Sequence, residues 1–336
     1  MPAPEPRETA RVTSAEVARH SGVSRTTVSY VLNGAPNQSI SEATKRRVLD
    51  TAERLGYTPY AAARALRSGR SDVVLFLTPE WPIGAAIARL VEDLTLALAT
   101  AGLTLVMHAH PRSARPIADL WKAINPAAVI NHQALSEDEA NVVRRSGITV
   151  LTPAFAFAGG GTFADFQSGI GHRQVEHLAA AGHRRLGFAL PDDDRLAAFA
   201  QPRLNGARQA CAELGLSEPV TRVTALNAVS SGRAVAYWRR LKSEITGICA
   251  YNDEVALAVL AGMRAQGLNA PGDFAVIGVD DIPAGALTSP ALTTVATGMS
   301  ELGKYLAISV INVLEGAAPP PGPGPEAIQV ISRDTV

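Results

Sequence analysis

From residue 71 onward the chain alternates short apolar runs with longer amphipathic stretches. The runs VVLFL (73–77), LTLVMHA (103–109), AAVIN (127–131), ITVL (148–151), RLGFAL (185–190), RVTA (222–225), GICA (247–250) and FAVIGV (274–279) have the length and apolar density of buried strands. Helical periodicity falls between them, near 84–101, 116–124, 137–146, 169–181, 203–214, 231–243, 252–266 and 299–315. Strict strand–helix alternation predicts an α/β fold of doubly wound parallel sheets with helices on both faces. About 265 residues is large for one core, so the pattern predicts two lobes with a ligand cleft at the carboxyl ends of the strands. A hydrophobic content of 47% is enough to fill both.

The first 70 residues follow a different pattern, all-helical and short. In VTSAEVARHSGVSRTTVSYVLNG (12–34), Thr13 and Glu16 have the spacing of a capping box, and Val17 and Ala18 supply a small apolar face. Gly22 suits the left-handed turn that stops this helix. Ser24 can cap the next one, whose Val28, Val31 and Leu32 recur at helical spacing. Its other side crowds Arg25, Thr26, Thr27, Ser29 and Tyr30 at the start of the helix, side chains suited to base edges and phosphates. This is helix-turn-helix grammar, the alternative being a helical hairpin with a solvated face. A third helix is predicted from a Ser41 cap to Gly56, with Val48, Leu49, Ala52 and Leu55 buried and Lys45, Arg46 and Arg47 outside. After Pro59, residues 60–68 could form two basic, Ala-rich turns too short to be stable alone. Leu66 is the large apolar side chain there, either packed on a neighbouring domain or a wedge for a DNA minor groove.

Charge sharpens this reading. Residues 1–70 carry 11 Lys+Arg against 6 Asp+Glu, a net of +5, and the remaining 266 carry 20 against 25, a net of −5. The neutral total therefore hides a basic head, drawn to phosphate, on an acidic body.

The motifs VARHSGVSRTTVSYVLNG, SEATKRRVLDTAERLGYTP and AAARALRSGRS together resemble the headpiece and hinge of LacI/GalR-family (lactose-repressor-type) transcription regulators. The resemblance continues through EHLAAAGHRRLGFAL, RLNGARQACAELGL, the run from Ile248 to Pro283 and SPALTTV, which are similar to the family's periplasmic-binding-protein-like domain. It implies a disordered tail over 1–11, a DNA-binding headpiece over 12–58, and a hinge helix and linker over 59–71. An effector and dimerisation domain follows over 72–336, with lobe one at about 72–167 and 296–325 and lobe two at about 168–295 and 326–336. It also implies that Arg25, Thr26 and Tyr30 read bases, that Thr27, Ser29 and Asn33 hold the backbone, that Leu66 intercalates, and that Thr13, Ser24, Tyr57 and Ala63 belong to the DNA face. Tyr30 stands where Arg is common and Tyr60 where Asn is common. The aromatic pair usual near the first helix of lobe one is replaced around Ala86 and Ile87.

Asp165, Arg203, Asn252 and Asp280 fall on the family's cleft positions, and Trp81 near a strand end joins them as a ring to stack on a sugar. Carboxylates, an amide and a forked guanidinium suit a ligand rich in hydroxyls, with Arg203 gripping two of them and facing Asp280 as a charged pair across the cleft. Structural capping is the alternative role for Asp165, Arg203, Asn252 and Asp280, and core packing for the aromatic rings. Adjacent Asp280 and Asp281 point apart at a strand end, which argues against a general acid/base pair. His172, His177 and His183 are not spaced to share one helical face, and neither cysteine joins them, so no metal or other cofactor is expected. AGGGT (158–162) lacks the Lys-Ser/Thr of a phosphate loop. Phe155, Phe157, Phe163 and Tyr251 also lie near strand ends. Two cysteines, no apolar leader and charges within the longest apolar stretch predict a cytoplasmic protein without a membrane segment. The leading expectation is a repressor, a homodimer or tetramer, that binds a near-palindromic double-stranded operator under control of a small sugar-like effector. The alternative is a solute-binding protein or sugar-handling enzyme on the same two-lobed fold.

Overall fold

The computed structural model describes residues 12–32, 39–57, 71–78, 80–109, 117–131, 136–151, 161–241 and 244–336. The tail 1–11, Asn33, Tyr60, the segment holding Ala63 and Leu66, Phe155 and Phe157 lie outside the described residues. The chain divides into two compact units, Met1–Ser71 and Asp72–Val336.

The first unit holds α1 (Ser14–Ser21), α2 (Arg25–Leu32) and α3 (Glu42–Arg54). The capping box forms: the Glu16 amide donates to Thr13 Oγ1 at 3.4 Å and Glu16 Oε2 accepts from the Thr13 amide at 2.7 Å. Gly22 adopts φ 67° and turns the chain into α2, where the Thr27 amide donates to Ser24 Oγ at 3.0 Å. Val17, Ala18, Val28, Val48 and Ala52 form the core, with Val31, Leu32, Leu55 and Tyr57 packed around it. The predicted burial of Leu49 is corrected. It is 50% exposed, and Thr51 is buried instead. Positions 48, 51, 52 and 55 share one side of a 3.6-residue helix, and position 49 lies about 100° away from Val48.

In the second unit β1 (Val73–Thr78), β2 (Thr104–Ala109), β3 (Ala128–Asn131) and β4 (Thr149–Leu151) form a parallel sheet of order β2-β1-β3-β4. A second parallel sheet, β6-β5-β7-β8, is built from β5 (Leu186–Pro191), β6 (Val220–Thr224), β7 (Gly247–Ala250) and β8 (Ala275–Ile277). Parallel strands need crossovers, and helices supply them: α4 (Ala85–Thr100), α5 (Ile117–Ile124) and α6 (Glu137–Ser146) around the first sheet, α7 (Phe163–Ala180), α8 (Ala197–Glu213), α9 (Ala228–Arg240) and α10 (Asp253–Arg264) around the second. After the short α11 (Pro283–Ala286) and β9 (Thr294–Ala296), α12 (Met299–Leu314) returns to α4. Their backbones approach closely, since a Cβ on Gly303 would stand 2.7 Å from the Leu90 carbonyl oxygen. Then β10 (Gln329–Ile331) pairs antiparallel with β9. One continuous apolar core runs from Val74 and Leu94 through Ile170 of α7 to Phe188 and Cys249. The protein is thus an α/β chain with an all-helical N-terminal unit and a body on two parallel sheets.

Two helices begin six residues before their predicted starts. Helix α7 starts at Phe163, capped by Thr162, whose Oγ1 accepts from the Asp165 amide at 3.2 Å. Helix α8 starts at Ala197 and continues through Pro202, which removes one backbone donor without ending the helix. Strand β8 stops at Ile277 where a longer run was predicted, because Gly278 turns toward β9 and donates to the Thr293 carbonyl at 2.9 Å.

Candidate functional site

In the first unit, α2 leaves Arg25 and Thr26 exposed and Tyr30 37% exposed, while Val28 is fully buried beneath them. The buried side fixes which residues the helix offers outward. Ser24 and Thr27 are tied at 2.9 Å hydroxyl to hydroxyl, and Thr13 is tied to Glu16, so these three serve helix ends as well as lying on the outer surface. Ser29 is half-buried on the same helix, and Tyr57 packs against the small core. The predicted basic run on α3 divides: Arg46 and Arg47 are exposed, whereas Lys45 Nζ is held by Glu42 at 2.6 Å.

In the second unit a cleft opens beyond the carboxyl ends of β1, β7 and β8. Trp81, Arg203, Asn252 and Asp280 all line it. Asp165 does not, and that expectation is corrected. Its carboxylate accepts from the Thr162 amide at 2.8 Å and the Thr162 hydroxyl at 2.7 Å, and these bonds hold its pKa below the usual value. The capping role predicted as the alternative is the one it performs.

Arg203 is placed by a close helix crossing. A Cβ on Gly206 would collide with the Ser168 carbonyl, and one on Gly171 with the Arg203 carbonyl, so α7 and α8 meet backbone to backbone. One turn along, Arg203 Nε donates to Gln167 Oε1 at 2.8 Å and Nη1 to the Tyr251 carbonyl at 2.6 Å. The guanidinium also lies 4.8 Å from the Tyr251 ring centre and is 4% exposed. The predicted grip on two ligand hydroxyls is therefore revised, because part of the fork is spent inside the protein. Its Nη2 is 3.8 Å from Asp280 Oδ1. Arg203 and Asp280 both belong to the second-sheet half, so the pair sits side by side on one wall and does not face across the cleft.

Asp280 Oδ1 is buried and has no hydrogen-bond partner among the described residues. Burial raises the Asp280 pKa, Arg203 opposes the rise, and Glu254 adds to it. Its backbone is left-handed, φ 101°, followed by Asp281 at φ 48°. Two such L-residues in succession cost about 1–3 kcal/mol each unless neighbours hold them. Neighbours do: the Asp280 amide donates to the Val295 carbonyl at 2.8 Å, and Arg333 Nη2 to Asp281 Oδ1 at 2.6 Å. Asp253 completes the clamp. Its Oδ1 accepts from the Thr294 hydroxyl at 2.6 Å and its Oδ2 from the Ile282 amide at 2.9 Å. Gly278 is required beneath it, since a Cβ there would run into this carboxylate. Asn252, just before Asp253, caps α10 through the Val255 amide at 3.0 Å while lining the cavity.

Asp253 is fully buried, and burial raises its pKa to about 7, against the lowering effect of the Thr294 and Ile282 hydrogen bonds. A folded pKa above the unfolded one means that the folded state binds the proton more tightly. The resulting stabilisation is complete below the unfolded value near 4 and is lost as pH rises through about 7. Asp253→Asn, whose carboxamide can still accept from Ile282 and bond Thr294, should flatten this dependence. In urea denaturation from pH 4 to 8, wild-type stability should fall relative to the variant by about 4 kcal/mol, and parallel pH profiles would remove Asp253 as the cause.

The cavity's aromatic side was only partly foreseen. Phe199 packs edge-on to Trp81 at 4.7 Å and to Phe163 at 5.3 Å, and Phe166 and Gln167 also reach the cavity. Phe163, Phe166, Gln167 and Phe199 lie in the first turns of α7 and α8, ahead of the predicted helix starts at 169 and 203. The Thr162-x-x-Asp165 spacing was a readable signal for the first of these starts. Phe155 and Phe157 lie outside the described residues, and Tyr251 is buried beside Arg203.

His172 binds Glu213 at 2.8 Å, and His183 Nδ1 meets Thr246 Oγ1 at 3.0 Å. Among the described residues no group of three His, Cys, Asp or Glu side chains is placed to hold a metal ion, and no helix is long and apolar enough to cross a membrane.

Comparison with known proteins brings the two units together. Residues 13–60 match the family described as bacterial regulatory proteins, lacI family, and residues 175–336 match the periplasmic binding protein-like domain. An uncharacterized HTH-type transcriptional regulator from the aml 5′ region of Streptomyces limosus is 31% identical over 314 residues, 88% of this chain and 86% of that protein. The crystal structure of the lac repressor dimer bound to operator and the anti-inducer ONPF superposes with a TM-score of 0.77 at 21% identity, covering 97% of this chain and 99% of that one. A transcriptional regulator CelR–cellobiose complex gives 0.62 at 22% identity, covering 97% and 100%. These two structures are similar in fold. The 31% identical relative, which spans most of both chains, together with the lacI-family match over residues 13–60, makes this chain a DNA-binding transcription regulator of the LacI family.

Proposed function

We propose that the protein is a repressor that binds a near-palindromic operator as a homodimer and that a small hydroxylated ligand, a sugar or sugar derivative, sets its affinity for DNA. The observation that carries the ligand reading is the gap between Arg203 Nη2 and Asp280 Oδ1. At 3.8 Å, with the carboxylate oxygen lacking a hydrogen-bond partner among the described residues, the pair is poised for a hydroxyl that accepts from one and donates to the other. The solved relative with cellobiose supports the same chemistry. On the DNA side, the exposed Arg25, Thr26 and Tyr30 take the base-edge role, Thr27, Ser29 and Asn33 the backbone role, and Leu66 the intercalating one. Thr13, Ser24, Tyr57 and Ala63 complete the proposed DNA face.

The test is selection of bound DNA from a random pool, followed by titration of the selected site at several salt concentrations, with and without a mixture of sugars. A two-fold related sequence should emerge. With about 6–10 phosphate contacts, log affinity should fall with log salt at a slope of roughly −5 to −9. Ligand should shift operator affinity about 5- to 150-fold, and operator should shift ligand affinity equally. Binding indifferent to sequence and salt would sink the DNA reading, and an unmoved affinity with every sugar would sink the effector reading.

A further inference from the structure

We propose that Gln174, which is fully buried and lines no part of the cleft, is a positioning residue for its polar end: it staples the parted ends of β7 and β8 and so sets where Asn252 and Asp280 stand. The inference rests on the effector reading above and adds a residue behind the site to those that line it.

The ladder between β7 and β8 stops at Cys249 and Ile277. Beyond it the two strands turn to opposite neighbours, since the Tyr251 amide donates to the Ala189 carbonyl of β5 at 2.9 Å and the Gly278 amide to the Thr293 carbonyl beside β9 at 2.9 Å. A gap opens between them. Gln174 of α7 bridges it: Nε2 donates to the Ala250 carbonyl at 2.8 Å and, on the other side, to the Ile277 and Gly278 carbonyls at 3.2 and 3.3 Å. One side-chain amide stands in for the missing rungs. These contacts also fix its orientation, because the flipped amide would set Oε1 against three carbonyl oxygens.

The stapled residues lead straight into the site. Ala250 is followed by Tyr251, whose carbonyl holds Arg203 Nη1, and then by Asn252, while Gly278 is followed by Val279 and Asp280. Gln167 lies two turns before Gln174 on the same face of α7 and takes Arg203 Nε at 2.8 Å, with Gly171 between them at the crossing with α8. The helix thus braces both members of the Arg203–Asp280 pair.

Stability alone does not account for this residue. Its Oε1 is buried and has no hydrogen-bond partner among the described residues, a cost that an apolar side chain of the same length avoids. What the amide contributes is the join between the two strand ends.

The experiment compares the full chain with Gln174→Met, which keeps the length and loses the donors, and with Gln174→Leu as a second apolar variant. Thermal unfolding, hydrogen exchange without ligand, and calorimetric titration with glucose, galactose, xylose and fucose are the measurements. Relief of the unmet Oε1 offsets the lost bonds, so Gln174→Met should melt within about 3 °C of wild type. Exchange should speed up at least about 10-fold in 250–253 and 278–282 and stay unchanged in β1 and α4. Any sugar that binds should bind about 10-fold more weakly to both variants, the equivalent of one hydrogen bond to a charged group. Unchanged exchange at the two strand ends, or a sugar held by both variants with wild-type affinity, overturns the proposal. Faster exchange spread evenly over the body with a lowered melting transition in both variants also overturns it, by assigning Gln174 to core packing. If no sugar binds wild type, the effector reading fails on its own, and exchange at the strand ends still decides whether Gln174 holds them.

Discussion

Arg203→Ala should lower the unfolding free energy of the body by about 3–5 kcal/mol and abolish its response to ligand. The guanidinium is 4% exposed, tied to Gln167 and the Tyr251 carbonyl, and is the positive charge beside buried Asp280. Its removal strands a carboxylate already short of partners and opens a void over the Tyr251 ring. At roughly 2–4 °C per kcal/mol for a unit of this size, the melting transition should drop by about 10 °C. Arg203→Lys separates the two roles. It restores a charge near Asp280 but not the planar fork, so it should recover part of the stability and none of the ligand response. Urea denaturation and operator titration with a binding sugar are the measurements. An unchanged melting transition with a full ligand response would remove Arg203 from both roles.

The second large effect comes from the smallest substitution. Gly206→Ala adds one methyl where it would collide with the Ser168 carbonyl, and a backbone neighbour cannot rotate aside. Forcing α7 and α8 apart should cost at least about 3 kcal/mol, the upper end of overpacking penalties, and should displace Arg203 and Gln167 relative to one another. Gly232→Ala is the matched contrast. In the interior of α9 its Cβ would meet nothing nearer than Gln266 Nε2 at 3.8 Å, and loss of glycine's excess unfolded-state freedom should stabilise by about 0.5–1 kcal/mol. Opposite signs for the same exchange would show that crossing geometry, not helix propensity, governs position 206. Equal and small effects at both would contradict the close crossing.

Both sheets could be read from the sequence because a parallel strand buried on both faces is an unbroken apolar run, and VVLFL and GICA are visible as such without neighbours. Helix starts were harder. A start is set by a single cap and by weak local preferences, and in α8 the predicted helix begins just after Pro202 although the packed helix carries through it. That displaced start concealed Phe199, and the displaced start of α7 concealed Gln167. Leu49 was misplaced because hydrophobicity was read where angular position decides, Thr51 lying on the inner side. Asp165 showed the same thing in reverse: a carboxylate at a predicted cleft turned out to be three residues past a threonine cap. The Asp253 clamp was invisible for a different reason. Its partners Thr294 and Ile282 are 41 and 29 residues away, and a pairing over that distance leaves no periodic trace.

The crossing at Gly171 and Gly206 also bears on how such a regulator changes its specificity over generations. Arg203 and Gln167 sit on two helices whose backbones touch, so any mutation that shifts the polar end must also survive a steric conflict in the core. Ala86 and Ile87 sit half-exposed in the first turn of α4, where a substitution disturbs little besides the cavity itself. Drift is therefore channelled to the first turn of α4. On the effector reading proposed above, ligand preference changes most readily through substitutions at these two positions, and a biosensor library is best diversified there.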